Sequence, residues 1–463
     1  MAFLVLGANS VSGYTIKNSL RFNSGSSDYL SRTLSTNGNK RTFTLSCWLK
    51  RSSLSAEQRI LMAYTGGGAQ EWLPQISSAN KIKLSGDTGL GYNFDLDSDA
   101  LFRDVSAWYH IVVAVDTTQA TSSNRIILYV NGTQQTLTGS YPSQNFDFVY
   151  MNTSGSTLLI GGRTSPSGLY LNGYLSEMFF IDGQALTPSS FGQTDTDTGI
   201  WIPKAYTGTY GTNGFYLKFA NSASLGTDSS GNGNTFTVNN LTSVDQSTDT
   251  PTNNFATLNP LLYSTSISYT EGNLKFTNTS SGQRMVASSI APTTGKWYAE
   301  CRVTSLGGTY PQVGVLDTSI YTMDTYVGAL ARGYGYASHG QVYNNAGALT
   351  TGLATYTTND IIGVALDLDN NYVYFSKNGT FINSGVPTSG SSGTGGWAIT
   401  DGYDYSFGSS SLDSGTDPVF DWNFGSPFYT ANSYTDGAGY GNFSYAVPSG
   451  YYALCTKNLA NYG

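Results

Sequence analysis

The sequence predicts an all-β protein built of two antiparallel β-sandwich domains in tandem, and three observations support this prediction. Only 11% of the 463 residues are charged, against roughly 25% in ordinary soluble domains. Glu, a strong helix former, occurs five times, whereas Gly occurs 54 times and Tyr 34 times. Short apolar runs separated by turn residues recur along the chain, which is typical of strands rather than helices.

The same composition excludes several functional classes. The 22 Lys and Arg residues face 30 Asp and Glu residues, so the chain offers no basic field to phosphates and we expect no nucleic-acid partner. Aromatic residues reach 14%, which argues against disorder. The apolar segment 1–8 is short and has no basic residue before it, so we expect a buried or attachment strand there, and no signal peptide or membrane insertion.

The first 200 residues carry a series of strand signals rich in β-branched and aromatic residues. We expect strands at residues 19–22, 29–30, 43–50, 60–63, 81–84, 108–116, 126–130, 158–162 and 173–181. The pair Asn131-Gly132 follows one apolar run and precedes the next, which is the strongest short-range signal for a hairpin. Short strands separated by turns favour a two-sheet sandwich over βαβ units.

The order of these segments is specific. Ser-Leu-Arg-Phe at 19–22 is followed by Phe-Thr-Leu-Ser-Cys-Trp-Leu at 43–49, Trp-Tyr-His-Ile-Val at 108–112, Leu-Tyr-Val-Asn-Gly at 128–132 and Gly-Tyr-Leu-Ser-Glu at 173–177. The ordered set resembles the laminin-G and pentraxin-like jelly rolls of the concanavalin A-like class, and we place this domain at residues 1–200. The resemblance implies that its Trp and Tyr residues are core positions.

Residues 201–262 are expected to form a connector hairpin and a polar linker packed on the first domain. The run Asp-Ser-Ser-Gly-Asn-Gly-Asn at 228–234 is similar to the turn that usually opens a laminin-G-like domain, yet here it follows the domain. The unit therefore either closes the first sandwich in a permuted order or forms a connector with its own hairpin.

Residues 263–463 return to strand-like alternation. We expect strands at residues 273–276, 295–303, 313–315, 360–367, 372–376, 421–425 and 450–454. An Asp-Asn-Asn turn at 369–371 and an Asn-Gly turn at 378–379 separate the most regular of these. This order resembles a SPRY domain, another concanavalin A-like sandwich, which implies a binding role.

Folds of this class also host glycosidases, whose catalytic residues are acidic. Jelly-roll glucanases place two Glu and one Asp close together on a single strand, and the sequence contains no such pattern. Glu177 stands alone in its strand and we expect it on the solvent face. We therefore expect no enzyme, with a glycan depolymerase that uses Asp pairs as the alternative.

Asp95, Asp97 and Asp99 form the densest acidic cluster and are the candidate metal ligands, for Ca²⁺. The turn Gly of a calcium loop is missing, since position 100 is Ala, so a solvated loop is the stronger interpretation. No other cofactor is expected.

The three cysteines, Cys47, Cys301 and Cys455, lie in apolar runs and are expected to be buried free thiols. A Cys301–Cys455 bridge is the alternative. His110 lies inside a predicted strand, where we expect its ring to be hydrogen-bonded.

Binding is the function that these exclusions leave. Two loop-rich regions of the second domain combine aromatic rings with Asp, Asn and Gly, the combination that suits sugars. The candidate ligand-binding residues are Tyr310, Tyr321, Tyr326, Tyr334, Tyr336, His339, Trp397, Asp401, Tyr403 and Asp404. The alternative is that these aromatic residues pack between strands or at a subunit interface.

The tandem of laminin-G-like and SPRY-like domains, poor in charge and rich in Gly, Ser, Thr, Asn and Tyr, resembles virion appendage proteins of tailed bacteriophages. That resemblance implies a tail or head fibre on the virion surface, assembled in the host cytoplasm. Its partners would be other virion proteins, further copies of the chain in a homo-oligomer, and a host surface glycan or protein. A capsid-decorating or adaptor protein that contacts only virion partners is the alternative.

Overall fold

The computed structural model describes residues 13–65, 70–87, 92–164, 167–262, 266–279, 281–307, 309–322, 324–412 and 417–463. The chain divides into two compact units, one of residues Ser10–Thr252 and one that contains Asn253–Gly463. Strands make up 42% of the residues and helices 7%, which confirms the all-β prediction. No helix within the described ranges is long and apolar enough to cross a membrane. The apolar segment 1–8 lies outside the described residues.

The strands of the first unit are short and numerous. They are β1 (Ser19–Phe22), β2 (Tyr29–Thr33), β3 (Thr42–Arg51), β4 (Gln58–Arg59), β5 (Leu61–Tyr64), β6 (Gln70–Ile76), β7 (Ile82–Asp87), β8 (Tyr92–Ser98), β9 (Trp108–Asp116), β10 (Ile126–Val130), β11 (Thr133–Gln134), β12 (Leu137–Ser140), β13 (Thr157–Ile160), β14 (Arg163–Thr164), β15 (Ser167–Gly168), β16 (Gly173–Asp182), β17 (Gly192–Thr194), β18 (Trp201–Pro203), β19 (Phe215–Leu217), β20 (Thr237–Asn239) and β21 (Gln246–Ser247). Single 3₁₀ turns occupy Ser122–Asn124, Pro188–Ser190 and Ser243–Asp245.

These strands form two large antiparallel sheets. Sheet 1 has the order β11-β10-β9-β3-β16-β1-β21, with β19 also paired to β16. Sheet 2 has the order β12-β8-β7-β6-β5-β13-β2-β20, with β4 also paired to β6. Apolar side chains of both sheets form one buried cluster between them, which makes the unit a two-layer sandwich.

Sheet 1 follows from the sequence pattern. The central strands β9, β3 and β16 carry long apolar runs and pair along almost their whole lengths. The turn between β10 and β11 is Asn131-Gly132, where both residues have positive φ (48° and 79°), as a type I′ hairpin requires. The hairpin predicted from this residue pair is therefore present.

The residues after position 200 add strands to the first unit. β19 pairs with β16 in sheet 1, β20 pairs with β2 in sheet 2, and β21 pairs with β1 in sheet 1. The Asp228 carboxylate accepts hydrogen bonds from the backbone N–H groups of Tyr216, Ser230 and Asn234, which closes the turn that the sequence singled out. Residues 253–262 belong to the second unit, where Phe255 and Leu258 are buried.

The second unit is also a sandwich. Its elements are β22 (Ile267–Thr270), β23 (Lys275–Asn278), β24 (Gln283–Ala287), β25 (Lys296–Ser305), β26 (Thr309–Asp317), β27 (Gly333–Ala337), β28 (Gln341–Asn344), β29 (Gly347–Thr350), β30 (Ile361–Asp367), β31 (Tyr372–Lys377), β32 (Thr380–Phe381), β33 (Trp397–Ala398), β34 (Tyr405–Leu412), β35 (Val419–Asn423), β36 (Tyr452–Ala453), the helix α1 (Thr456–Tyr462), and 3₁₀ turns at Thr318–Ile320, Val327–Ala329 and Pro387–Ser392.

Sheet 3 has the order β22-β23-β35-β25-β30-β31-β32, and sheet 4 has the order β24-β34-β26-β27-β28-β29. The remaining strands β33 and β36 pair with β31 and β25, and the β25–β36 pair is parallel. A second buried apolar cluster, which includes Trp297 and Trp422, fills the space between the two sheets. The prediction of two sandwiches in tandem is thus confirmed.

The cysteines and His110 lie where the sequence predicts. Cys47, Cys301 and Cys455 are buried free thiols, so no Cys301–Cys455 bridge is present. The ring of His110 is buried, with Nε2 at 2.9 Å from the Ser46 hydroxyl, while Nδ1 accepts from the Trp201 indole N–H at 3.0 Å. Burial lowers the pKa of His110 to about 3, so the ring is neutral at ordinary pH.

Buried carboxylates fasten loops to both sandwiches. Glu71 on β6 is 1% exposed, and its two oxygens accept from the backbone N–H groups of Val149, Tyr150 and Met151 at 2.6–3.0 Å. Glu300 on β25 is fully buried and accepts from the backbone N–H groups of Ser444 and Tyr445. Each carboxylate thus satisfies several backbone donors that a strand ladder does not.

We expect the stability of the protein to depend on the protonation of Glu71. Burial raises the pKa of Glu71 to about 7, although the three backbone N–H groups favour the charged form. Since the folded state then holds a proton that the unfolded state releases near pH 4.5, the free energy of unfolding falls as the pH rises from about 4.5 to 7. A shift of this size corresponds to about 3 kcal/mol.

Urea denaturation of the wild type and of Glu71→Gln at pH 5 and pH 8 measures this term. The variant should be less stable at pH 5, because its amide group faces backbone donors, and its pH dependence should be flatter. Glu57→Gln, at an exposed position, is the control and should keep the wild-type slope. An identical slope in wild type and Glu71→Gln would contradict the prediction.

Candidate ligand-binding surfaces

A cavity of about 360 Å³ lies on the outer face of sheet 1, opposite the apolar core of the first unit. Its wall is formed by side chains of two adjacent strands and of two loops. The lining residues are Ala114, Asp116, Gln119, Asn124, Ile127, Tyr129, Ala185, Leu186 and Thr187. Its volume falls within the range of small-molecule sites.

The alternation of side chains along β10 determines which of its residues form the floor of this cavity. On β10, Ile126, Leu128 and Val130 point into the core, so Ile127 and Tyr129 point outward. Ile127 pairs with Ala114 of β9 in the ladder, which brings the two strands' outward residues together. The Tyr129 ring is half-buried and offers a flat apolar surface beside polar groups.

Two loops form the rim. Residues 119–124 are held by Arg125, whose three guanidinium nitrogens donate to the backbone carbonyls of Gln119, Ala120 and Pro142 at 2.8–2.9 Å. On the opposite side, the Leu186 N–H donates to the Thr44 hydroxyl of β3 at 2.8 Å. Both walls are therefore fixed by hydrogen bonds within the protein.

Asp116 lies at the end of β9, between the floor and the 119–124 loop. Its Oδ1 accepts from the Thr118 hydroxyl at 2.6 Å and its Oδ2 accepts from the Gln119 side-chain amide at 2.6 Å. The cavity thus combines one aromatic ring, one carboxylate and two side-chain amides, a set that can contact both the apolar face and the hydroxyl groups of a sugar.

The sequence did not reveal this cavity. The family resemblance implies a core position for Tyr129. The strand pattern places Asp116 at the end of a strand. The sequence signal that points to this cavity is the alternation of side chains on β10. It places Tyr129 on the opposite face of the sheet from Leu128 and Val130. What the sequence lacks is the position of residues 185–187, which come from a segment more than 50 residues away.

Several of the predicted binding residues of the second domain lie in its core instead. Tyr336 is fully buried, and Tyr334 and Trp397 are 5% and 6% exposed. Tyr336 packs against Tyr356 and Phe375 with ring centroids 5.0 and 5.8 Å apart. The prediction of a ligand contact for these three residues is corrected: the inward positions of β27 and β33 use their rings to fill the sandwich.

Tyr403 does reach the surface. Its ring is 38% exposed and packs on the guanidinium of Arg332 at 3.9 Å from the ring centroid. Arg332 is held in turn by Asp317, with Nε at 2.5 Å from Oδ2. Asp401 and Asp404 are exposed on the same loop. This surface, the Tyr403 platform, is a preformed aromatic patch flanked by acids.

Two of the other predicted residues contact the same ring. His339 and Tyr326 are half-buried, and both contact the ring of Tyr343, at centroid distances of 5.8 and 6.2 Å. Tyr321 is also half-buried, and its hydroxyl donates to the Met285 carbonyl at 2.5 Å, which ties it to the protein. The Tyr310 side chain lies outside the described residues. The structure therefore does not bring the ten predicted residues into one site.

The three acidic residues considered for Ca²⁺ are engaged in other contacts. Asp95 and Asp97 lie two residues apart on β8, and the Lys83 ammonium lies 2.7 Å from Asp95 and 3.9 Å from Asp97. Asp99 accepts from the Thr138 hydroxyl at 2.8 Å. Within the described ranges no group of three or more His, Cys, Asp or Glu residues is arranged to hold a metal ion.

Glu177 departs from its predicted exposure. It lies at a bulge of β16, with φ of 47°, and is 5% exposed. The hydroxyls of Tyr14 and Tyr216 both donate to its Oε2. Burial raises the pKa of Glu177, while the two tyrosine hydroxyls lower it. Glu177 is buried because the side chains of Tyr14 and Tyr216 pack against it.

Two parts of the chain match known domain families. Residues 24–190 match the model of the concanavalin A-like lectin/glucanases superfamily, and residues 296–395 match that of the SPRY domain. Both resemblances seen in the sequence are thereby confirmed. Domains of both kinds are typically binding modules, in agreement with a binding role, and neither match points to a virion.

Similar solved structures include the SPRY domain of human HERC1, at 18% identity and a TM-score of 0.30, which covers 36% of this chain and 96% of that chain. A second human SPRY domain is 16% identical with a TM-score of 0.26 and the same coverage. Stonustoxin is 16% identical with a TM-score of 0.28, covering 36% of this chain and 27% of its own. Likenesses at this level carry no argument about function. A comparison with curated proteins finds no match.

Truncation of the aromatic residues should separate the core from the surface. Tyr336→Ala removes a fully buried ring and should lower the free energy of unfolding by about 3–5 kcal/mol, as for other large core residues. Tyr403→Ala removes an exposed ring and should cost about 1 kcal/mol or less. Equilibrium denaturation of both variants gives the two values, and equal costs would contradict the assignment of Tyr403 to the surface.

Proposed function

We propose that the protein binds carbohydrate through the cavity on sheet 1. The observation that supports this best is the position of the half-buried Tyr129 ring beside Asp116, Gln119 and Asn124 in a preformed cavity. A pyranose ring presents C–H groups on its faces and hydroxyls at its edge. The first can stack on Tyr129, and the second can exchange hydrogen bonds with the polar side chains.

We propose binding without catalysis. The buried glutamates Glu71, Glu177 and Glu300 are occupied by internal hydrogen bonds from backbone N–H groups or tyrosine hydroxyls. None of them is presented to the cavity, whose lining contains one carboxylate, Asp116, whereas glycoside hydrolysis ordinarily needs a pair. Purified protein should release no reducing ends from polysaccharides that it binds.

The finer proposal is that the chain is an appendage protein of a bacteriophage virion that attaches to a host surface glycan or protein. Its support is the resemblance in composition and domain order. A single shallow site binds sugar weakly, so display in several copies would supply avidity. Cryo-electron microscopy of the native particle tests location and stoichiometry together, and absence of the chain from purified particles would exclude this proposal.

The Tyr403 platform supports a second candidate, contact with a protein partner such as another virion protein. Its ring is held in place by Arg332, and exposed Tyr residues beside charged groups are common in protein interfaces. Pull-down of assembly partners with wild type and Tyr403→Ala distinguishes this role from sugar binding, because the variant leaves the sheet 1 cavity unchanged.

Loss of the Tyr129 ring should weaken carbohydrate binding. Tyr129→Ala should weaken binding on a glycan array or to host cells by about tenfold or more, because it removes the stacking surface. Tyr129→Phe keeps the ring and should retain most of the binding. Tyr434→Ala, which removes a ring that is 47% exposed in the second unit, is the control. If Tyr129→Ala binds as wild type does, the cavity is not the site.

Binding should not depend on Ca²⁺. The Lys83 ammonium lies 2.7 Å from Asp95 and 3.9 Å from Asp97 and balances one of their two negative charges, which weakens their attraction for a second cation. Incubation with EDTA should leave glycan binding and the denaturation midpoint unchanged. A fall in either, restored by added Ca²⁺, would show that a calcium site exists.

A further inference from the structure

We propose that the sheet 1 cavity selects neutral sugars and rejects acidic ones. This inference rests on the proposed function of the cavity. The cavity would bind hexoses and N-acetylhexosamines more tightly than uronic acids and sialylated or sulfated sugars.

The cavity carries one charged side chain, and that charge is negative. Among its lining residues, Asp116 is acidic and none is Lys, Arg or His. Partial burial raises the pKa of Asp116, but hydrogen bonds from Thr118 and Gln119 outweigh it, so the pKa lies below its ordinary value. An acidic ligand would therefore meet a like charge at neutral pH, without a cation to compensate it.

Basic side chains of adjoining segments are engaged with other partners. Arg41 donates to the Asp147 carboxylate at 2.7 and 3.1 Å. All three guanidinium nitrogens of Arg125 donate to the backbone carbonyls of Gln119, Ala120 and Pro142. The Lys204 ammonium donates to the Ser189 carbonyl at 3.2 Å. These side chains are therefore occupied, although Arg and Lys are the usual partners of a carboxylate or sulfate.

The groups that remain open are neutral. The Asn124 side-chain amide and the Tyr129 hydroxyl have no hydrogen-bond partner among the described protein atoms. An amide and a phenol can each donate to and accept from a sugar hydroxyl. A neutral ligand could therefore form hydrogen bonds here without breaking those that hold Asp116 and the loop.

The volume agrees with a small ligand. A cavity of about 360 Å³ lies at the small end of the range of small-molecule sites. We therefore expect one sugar ring to occupy the cavity and the rest of a glycan to extend over its rim.

Matched glycoside pairs test the selectivity. Methyl glucoside and methyl galactoside are compared with the methyl glucuronide and methyl galacturonide by ligand-observed NMR with the full chain. At least one neutral member should bind about tenfold or more tightly than its acidic partner. Raising the salt concentration should narrow the gap, because screening weakens the repulsion.

Asp116→Asn is the decisive variant. Asn can keep the acceptor for Thr118, and a rotated Gln119 amide can keep the second hydrogen bond, so the loop should remain in place. At low salt, the ratio of the affinity for the neutral glycoside to the affinity for its uronide should fall in the variant, because the repelling charge is removed. Thermal denaturation confirms that it folds.

The outcomes separate the two proposals. If neutral and acidic members bind equally well, and both depend on Tyr129, the charge inference is wrong and the binding function stands. If the acidic member binds more tightly, the inference is also wrong. If neither pair nor a wider glycan panel binds, the proposed function fails for this cavity.

Discussion

The architecture depends on buried carboxylates that collect backbone N–H groups from segments far away in the chain. Asp182, at the end of β16, accepts from the N–H groups of Asn39 and Asn213. In the second unit, Asp436 accepts from the N–H groups of Ala438 and Tyr440 in its own turn and of Ala453, 17 residues away. A sandwich of short strands leaves many loop donors outside its ladders, and an unpaired buried donor costs about 1–3 kcal/mol. A carboxylate can satisfy several donors at once, because each oxygen has two lone pairs. The few acidic residues of this chain therefore hold many of its loops in place.

The fold could be predicted from the sequence because its strands and turns depend on local sequence patterns. Long apolar runs predicted the central strands, and the Asn131-Gly132 turn predicted its hairpin, because both signals depend on residues that are adjacent in the chain. The environment of Glu177 could not be predicted in this way. Its burial comes from Tyr14 and Tyr216, which lie 163 and 39 residues away. A lone Glu in a strand gives no sign of whether another segment covers it.

The candidate site was harder to predict than the fold for the same reason. Aromatic density marked the second domain, but a Tyr-rich strand uses its inward rings for the core, as Tyr336 does, and only loop positions such as Tyr403 remain available. The sheet 1 cavity depends on two loops that meet over adjacent strands. Composition does not show that these two loops lie close together. The alternation of side chains on β10, however, shows that Tyr129 points outward.

The attachment of the 119–124 loop by Arg125 has a consequence for the variation of this surface. The guanidinium binds carbonyl oxygens, which every residue type supplies, so the anchor does not depend on the side chains of the loop. Gln119 and Asn124 can therefore be exchanged while the loop keeps its path. A fixed backbone with replaceable side chains allows new ligand preferences to be selected, or designed, without a new fold.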